Sequence, residues 1–382
     1  MLALALTIAL LHPQDAPRLR TICRNGTVVL VERMAEEPSI SIQLWASSYS
    51  VPETKDSHGF RHLLEHLAAK GNGDLDARLE KQGCYLRART FRDAMQIEIN
   101  VGPRQMDVGI SALLEVIKPL QVNQTAIDRE LRVMRQEFAT YDDPSRLSAG
   151  AWRQAFGDNG MDPFGDLEAL AKATPEALRE LHRKHFYPEN LAITIAGPLD
   201  IRAATEKAVA AFGMKQGGIR IVRDPAPLGK PGRIEVSGFG EGRAAMTPGY
   251  DNPLAVGSLA FALAVASEIE GSFVTYTPAT DRGVVTVGQT ERVSGMGIRI
   301  DSVGANDLPR LFALGRVLAR RWVERYLRSP SGVGFIRGLL LVQSPAASPE
   351  AMLTAIDALT YEQFKDAASQ FSKEKGVTVV GN

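Results

Sequence analysis

One order of elements occurs twice, roughly half a chain apart. Thr174-Pro175-Glu176-Ala177-Leu178 opens a helix that leads to the apolar run Leu191-Ala192-Ile193-Thr194-Ile195-Ala196-Gly197. Thr360-Tyr361-Glu362-Gln363-Phe364 opens another that leads to Val377-Thr378-Val379-Val380-Gly381. Duplication of one α+β unit would produce this pattern. The competing explanation is that helix–strand–glycine units are common. With 382 residues the chain has room for two or three domains.

The remaining periodicity fits two such halves. Thr27-Val28-Val29-Leu30-Val31-Glu32 after the Asn25-Gly26 turn predicts a hairpin. Ser39–Trp45 and Met95–Val101 alternate with period two, as half-buried strands do. Phe60, Leu63, Leu64 and Leu67 make one helical face within Gly59–Lys70. Met106, Ile110, Leu113, Leu114 and Ile117 mark a second helix. Ile127, Leu131, Met134 and Phe138 mark a third, with Thr125 as its N-cap. The Gly- and Pro-rich residues 216–232 read as a linker between a domain at 18–215 and a related one at 233–382. In the second half, Arg233–Val236 and Val284–Val287 read as strands, and the stretches near Ala255–Ser267 and Asp307–Leu327 as helices.

Residues 1–17 are a candidate signal segment, because Met1–Leu11 is an apolar run of h-region length. It lacks a basic n-region, so a mis-assigned start or a buried N-terminal segment competes with that reading. An exported protein is expected in the first case and a cytoplasmic one otherwise. No later segment is apolar for long enough to form a membrane helix. Lys plus Arg equals Asp plus Glu, 44 each. That balance argues against a nucleic-acid partner, which needs a basic surface to neutralise phosphates. Cys23 and Cys84 are too few for a disulfide framework or a thiolate zinc site.

The chemistry concentrates in His62-Leu63-Leu64-Glu65-His66. Residues four apart on a helix lie one above the other, so both imidazoles can reach one metal ion. Glu65 can approach the same ion without binding it. Zinc hydrolysis needs this set: histidine ligands, an open coordination position, and a carboxylate to take a proton from water. Catalytic zinc takes a third protein ligand. The candidates are Glu130 and Glu137, two helical turns apart, one to bind the metal and one to orient a histidine. Two His and one carboxylate also suit non-haem iron, as in an oxygenase or a metal-dependent lyase. The adjacent Glu65 favours hydrolytic zinc. A solvated helix with two surface histidines is the bland alternative.

His62-x-x-Glu65-His66 resembles the inverted zinc motif of the pitrilysin-like metallopeptidases, the family of insulysin and the mitochondrial processing peptidases. The likeness extends to Arg24–Glu32 as the opening strand, to Gly59–Leu67 as the motif helix with Lys70-Gly71 after it, and to the Glu130/Glu137 pair. It also takes in His185-Phe186-Tyr187-Pro188-Glu189-Asn190-Leu191. It is close over residues 20–200 and loose beyond. The resemblance implies an α+β fold of two related domains, each a mixed, mainly antiparallel sheet backed by helices. It implies one Zn²⁺ held by His62, His66 and Glu137, with Glu65 as general base and Glu130 supporting a ligand. It further implies a peptide substrate added as a strand at a sheet edge, and pairing with an identical or homologous chain.

Two departures stand out. Leu86-Arg87-Ala88-Arg89-Thr90 places Arg87 where the family has Asn, so the expected substrate contacts Arg87 and Thr90 lie on an unusually basic edge. Solvated charges that block aggregation explain the arginines equally well. In the second half Tyr276 can fill the family's substrate-binding Tyr position, but Glu268 and Glu270 stand where its Arg partner belongs, and Arg282 lies on the wrong side. A degenerate second domain follows, and with it an alternative function: a weakly active or non-catalytic subunit that completes a chamber with a partner.

Overall fold

The structure, a computed structural model, describes residues 17–48, 53–71, 73–213, 229–249, 252–276, 278–290, 296–344 and 347–382. The candidate signal segment, apart from Pro17, and the linker expectation from 216 to 228 lie outside them. Two compact units interleave along the chain. The first comprises 1–136, 163–223 and 326–346, and the second 137–162, 224–325 and 347–382. The sequence reading has consecutive stretches instead, because periodicity identifies a helix but not the sheet it packs on.

The N-terminal half runs β1 (Arg18–Ile22), β2 (Val28–Arg33), β3 (Ile40–Ser47), α1 (Phe60–Lys70), α2 (Leu75–Glu80), β4 (Tyr85–Thr90) and β5 (Ala94–Val101). It continues with α3 (Met106–Val116), α4 (Gln124–Ala139), α5 (Asp143–Phe156), α6 (Leu167–Leu170), α7 (Pro175–His185), β6 (Leu191–Gly197) and α8 (Ile201–Phe212). The C-terminal half runs β7 (Gly232–Val236), β8 (Glu241–Thr247), α9 (Pro253–Ala266), β9 (Ser272–Tyr276) and β10 (Gly283–Gln289). Then follow α10 (Met296–Asp301), α11 (Leu308–Glu324), α12 (Pro330–Gln343), α13 (Pro349–Ala358), α14 (Tyr361–Ser369) and β11 (Val377–Gly381).

Each unit holds one sheet. The first has the order β1-β2-β6-β3-β5-β4 and the second β7-β11-β8-β10-β9. In each, the strand after the duplicated helix lies parallel to one neighbour and antiparallel to the other: β6 between β2 and β3, β11 between β7 and β8. The two helix starts also match. Thr174 Oγ1 accepts from Ala177 N, and Thr360 Oγ1 from Gln363 N. These are N-caps that satisfy otherwise orphaned donors. The units are thus two related α+β domains.

Two helices are exchanged. α12 comes from the C-terminal half but covers β3 and β6 of the first sheet. α5 comes from the N-terminal half but lies on the second sheet, where Leu147, Ala151, Trp152 and Phe156 pack with Ala244, Val377 and Val379. The exchange corrects one expectation. β3 is not half-buried; all eight of its residues are buried. Its polar face meets α12 rather than water. There Gln43 Nε2 donates to the Ser331 carbonyl at 2.9 Å, and Trp45 Nε1 donates to Gln43 Oε1 at 3.1 Å. Gly338 makes this close approach possible, since a Cβ at that position would lie 2.0 Å from Trp45 Nε1. Arg337 of α12 pairs with Glu32 on β2.

On its other face the second sheet carries α9, apolar all round and buried at ten of its residues, as a helix enclosed by others must be. The start of α4 differs in detail from expectation. Asn123 Oδ1 accepts from Ala126 N, so Asn123 is the cap and Thr125 lies inside the first turn. Cys23 and Cys84 are both free and buried.

Candidate metal centre

α1 positions the histidines. It begins at Gly59, whose φ of +96° an L side chain rarely adopts. Gly59 packs back to back with Gly165; a Cβ on Gly165 would lie 2.5 Å from the Gly59 Cα. That contact brings the neighbouring Phe164 carbonyl to His62, whose Nδ1 lies 3.0 Å from it. His66 Nδ1 faces Glu130 Oε2 at 3.5 Å. An acceptor therefore stands at Nδ1 of each ring, which favours the tautomer with a bare Nε2.

The two Nε2 atoms face one another at 3.3 Å. Two lone pairs in that arrangement repel unless a cation lies between them. A separation of about 3.3 Å is also the edge of a tetrahedron whose metal–nitrogen bonds are about 2.05 Å. Glu137, in the last turn of α4, completes the group: one ligand atom each from His62, His66 and Glu137 lies within 4.8 Å of the others. The boundary between the units falls at residue 136, inside this continuous helix, so Glu137 is carried by the same rod as Glu130. The donor set, two imidazoles and a carboxylate, fits zinc.

Glu130 is 2% exposed, and its other oxygen accepts from Arg129 Nε at 3.0 Å. Its hydrogen bond with His66 holds its carboxyl below the usual range, against the opposing effect of burial. Glu65, 8% exposed, accepts from Thr90 Oγ1 at 3.0 Å through Oε2. Beside His66 opens a cavity of about 340 Å³ lined by Lys70, Asp74, Arg129, Glu130 and Val133. The structure thus brings His62, Glu65, His66, Glu130, Glu137 and Thr90 into one neighbourhood. Arg87 is exposed on β4. Tyr276 belongs to the second unit, at the end of β9, with its ring centroid 6.0 Å from that of Trp322. Phe164 was not anticipated; its contribution is a backbone oxygen, which leaves no trace in residue identity.

Residues 28–161 match the family model described as insulinase, peptidase family M16. Over that stretch the chain resembles the M16 family. A Streptomyces coelicolor protein described as an uncharacterized zinc protease is 27% identical to it over 216 residues, 54% of this chain and 46% of that protein. The β subunit of the mitochondrial processing peptidase of Blastocladiella emersonii is 26% identical over 227 residues, 56% and 48% of the two chains. The chain thus spans about half the length of the curated relatives it matches. Solved structures match throughout. A protease from Helicobacter pylori superimposes with a TM-score of 0.78 at 15% identity, covering 96% of this chain and 99% of that one. A peptidase M16 inactive domain from Pseudomonas fluorescens gives 0.75 at 18% identity, covering 95% and 97%. At such identity these likenesses establish the fold.

Proposed function

We propose that the protein is a zinc metalloendopeptidase that hydrolyses peptides or unfolded segments, with one Zn²⁺ held by His62, His66 and Glu137. The observation that carries this reading is the convergence of those three ligand atoms within 4.8 Å, one helical position from the carboxylate of Glu65. Bound there, zinc would supply Lewis acidity to the scissile carbonyl and acidify water towards a pKa of about 7.

The chain's own groups supply the rest. Glu65 takes the proton of the attacking water and delivers it to the leaving amine. Thr90 fixes one oxygen of the Glu65 carboxylate. The Phe164 carbonyl and Glu130 hold the two imidazoles in register. β4 is the last strand of its sheet and offers backbone donors and acceptors to an extended peptide.

The test is direct. Glu65→Gln is expected to keep stoichiometric zinc and lose turnover of an unstructured peptide, whereas His66→Ala loses the zinc. Near-normal cleavage by Glu65→Gln would refute the assignment.

A second reading, a weakly active or non-catalytic subunit that completes a chamber with an identical or homologous partner, has its own support. The helix α9 holds the place in the second unit that α1 holds in the first, between the β8 and β9 equivalents of β3 and β4. Its sequence PLAVGSLAFALAVA contains no histidine or acid. The close fold match to an inactive M16 domain points the same way. Cleavage by the purified chain alone, measured with its native mass, separates the readings. Activity that appears only with a homologous chain favours the second.

A further inference from the structure

The edge strand β4 has two chemically different sides. Its pairing with β5 sets Arg87 opposite Glu98 and Arg89 opposite Gln96. Those two partners lie opposite Gln43 and Trp45 of β3, so both arginines belong to the α12 side of the sheet. Thr90, one residue on, faces the other way and reaches Glu65 on α1. Arg87 is exposed. Arg89 is half-buried, with its guanidinium 5.5 Å from the centre of the Phe335 ring.

Neither arginine side chain has an ion pair or a hydrogen bond among the described residues. Glu98, across from Arg87, is 1% exposed, and its Oε1 already accepts from Ser41, Gln43 and Asn100. Burial, and then the charge of Arg87, make the Arg89 cation easier to discharge than usual. Two like charges two residues apart on one strand face, one of them partly dehydrated, repel each other, and the nearby Glu98 offsets this only in part. An anion arriving on this side would relieve both.

Resting on the reading of β4 as the strand that receives substrate, we propose that Arg87 and Arg89 select acidic segments. An extended peptide added to β4 continues the alternation of the sheet, so its side chains point by turns to the α12 side and to the α1 side. Two carboxylates two residues apart would lie beside Arg87 and Arg89. The residues between them would face α1 and the metal centre. The substrate class is therefore an unfolded segment with Asp or Glu at every second position, not a basic one.

The test uses the full chain as Glu65→Gln, to hold peptide uncut, with fluorescent unstructured peptides that carry Glu, Gln or Lys at alternate positions. Affinity is read by anisotropy at low and high salt, and cleavage of the same peptides is read with the wild type. The Glu peptide is expected to bind roughly fivefold more tightly than the Gln peptide, as two partly exposed charge pairs would give, and to lose that advantage in high salt. Arg87→Glu, at an exposed position, is expected to reverse the order of the Glu and Lys peptides; Arg89→Gln should only narrow it. Equal affinities for the Glu and Lys peptides, or an order unchanged by Arg87→Glu, overturn the proposal even if all three peptides are cleaved. Acid-selective binding without any cleavage by the wild type would leave this proposal standing and count against the peptidase. Failure of every peptide to bind overturns the selection itself.

Discussion

Thr90 Oγ1 donates to Glu65 Oε2 across 3.0 Å, which ties the last residue of the edge strand to a carboxylate on the adjacent helix. The strand that would receive a peptide and the group that would handle its proton are therefore mechanically one. Thr90→Val keeps the shape and removes the donor. A hydrogen bond to a charged group contributes about 1.5–3 kcal/mol. The variant is expected to lose roughly tenfold or more in kcat with zinc content unchanged. Equal kcat for variant and wild type would show that the bond does not orient the base.

Glu130 lies behind His66 rather than at the ligand cluster. Removing its charge should leave the three ligands in place but weaken the grip on the ion. Glu130→Gln is expected to bind zinc about 10- to 100-fold more weakly, as such supporting partners do elsewhere. Competition against a chromophoric chelator measures it. Unchanged affinity would mean that the Nδ1 proton of His66 is held by something else.

His185 is fully buried, and burial, with lesser contributions from Arg61 and His182, pushes its pKa down from 6.5 to about 3. Between those two values the unfolded chain binds a proton that the folded chain refuses. Stability is complete above about pH 6.5 and falls as the pH drops, by at most about 1.4 kcal/mol per unit. At pH 5 the loss from this residue is about 2 kcal/mol. Thermal melts of wild type and His185→Leu at pH 7.5 and pH 5 should show a smaller acid shift in the variant. The same shift in both would assign the sensitivity to other groups.

Gly338 touches Trp45 so closely that no side chain fits. Gly338→Ala must push α12 off the first sheet or displace a fully buried indole. Overpacking of this kind costs about 1–3 kcal/mol, and more where backbone must move. Chemical denaturation should show the loss, and a midpoint equal to wild type would argue that the helix is free to shift.

The parts of the fold that announced themselves are those built from side-chain periodicity. The runs around Val29 and Ile193 read as strands, and the face formed by Phe60, Leu63, Leu64 and Leu67 read as a helix. No expectation covered α12, where Gly332, Gly334 and Gly338 interrupt the apolar pattern; in the structure the lack of a side chain at Gly338 is what lets the helix lie against Trp45. For the same reason Ser41 and Gln43 suggested water when their partner is another segment's backbone or a neighbouring side chain. At the site, His62, Glu65, His66 and Glu137 follow from spacing and resemblance. The Phe164 carbonyl could not, since any residue would supply the same oxygen. Thr90 stood out as a substrate contact on a basic edge, but only coordinates show it bonded to Glu65.

The traded helices have a consequence for how this polypeptide is made. A ribosome that has released everything through α8 has produced a first sheet without the cover it will finally wear, because α12 has yet to be synthesised. Trp45 and the polar row beside it must wait, exposed, for residues nearly three hundred positions downstream. Such distant closure favours slow maturation and a period of vulnerability to sticking. A cut between α8 and β7 in the finished molecule would leave two fragments that each contain part of both units.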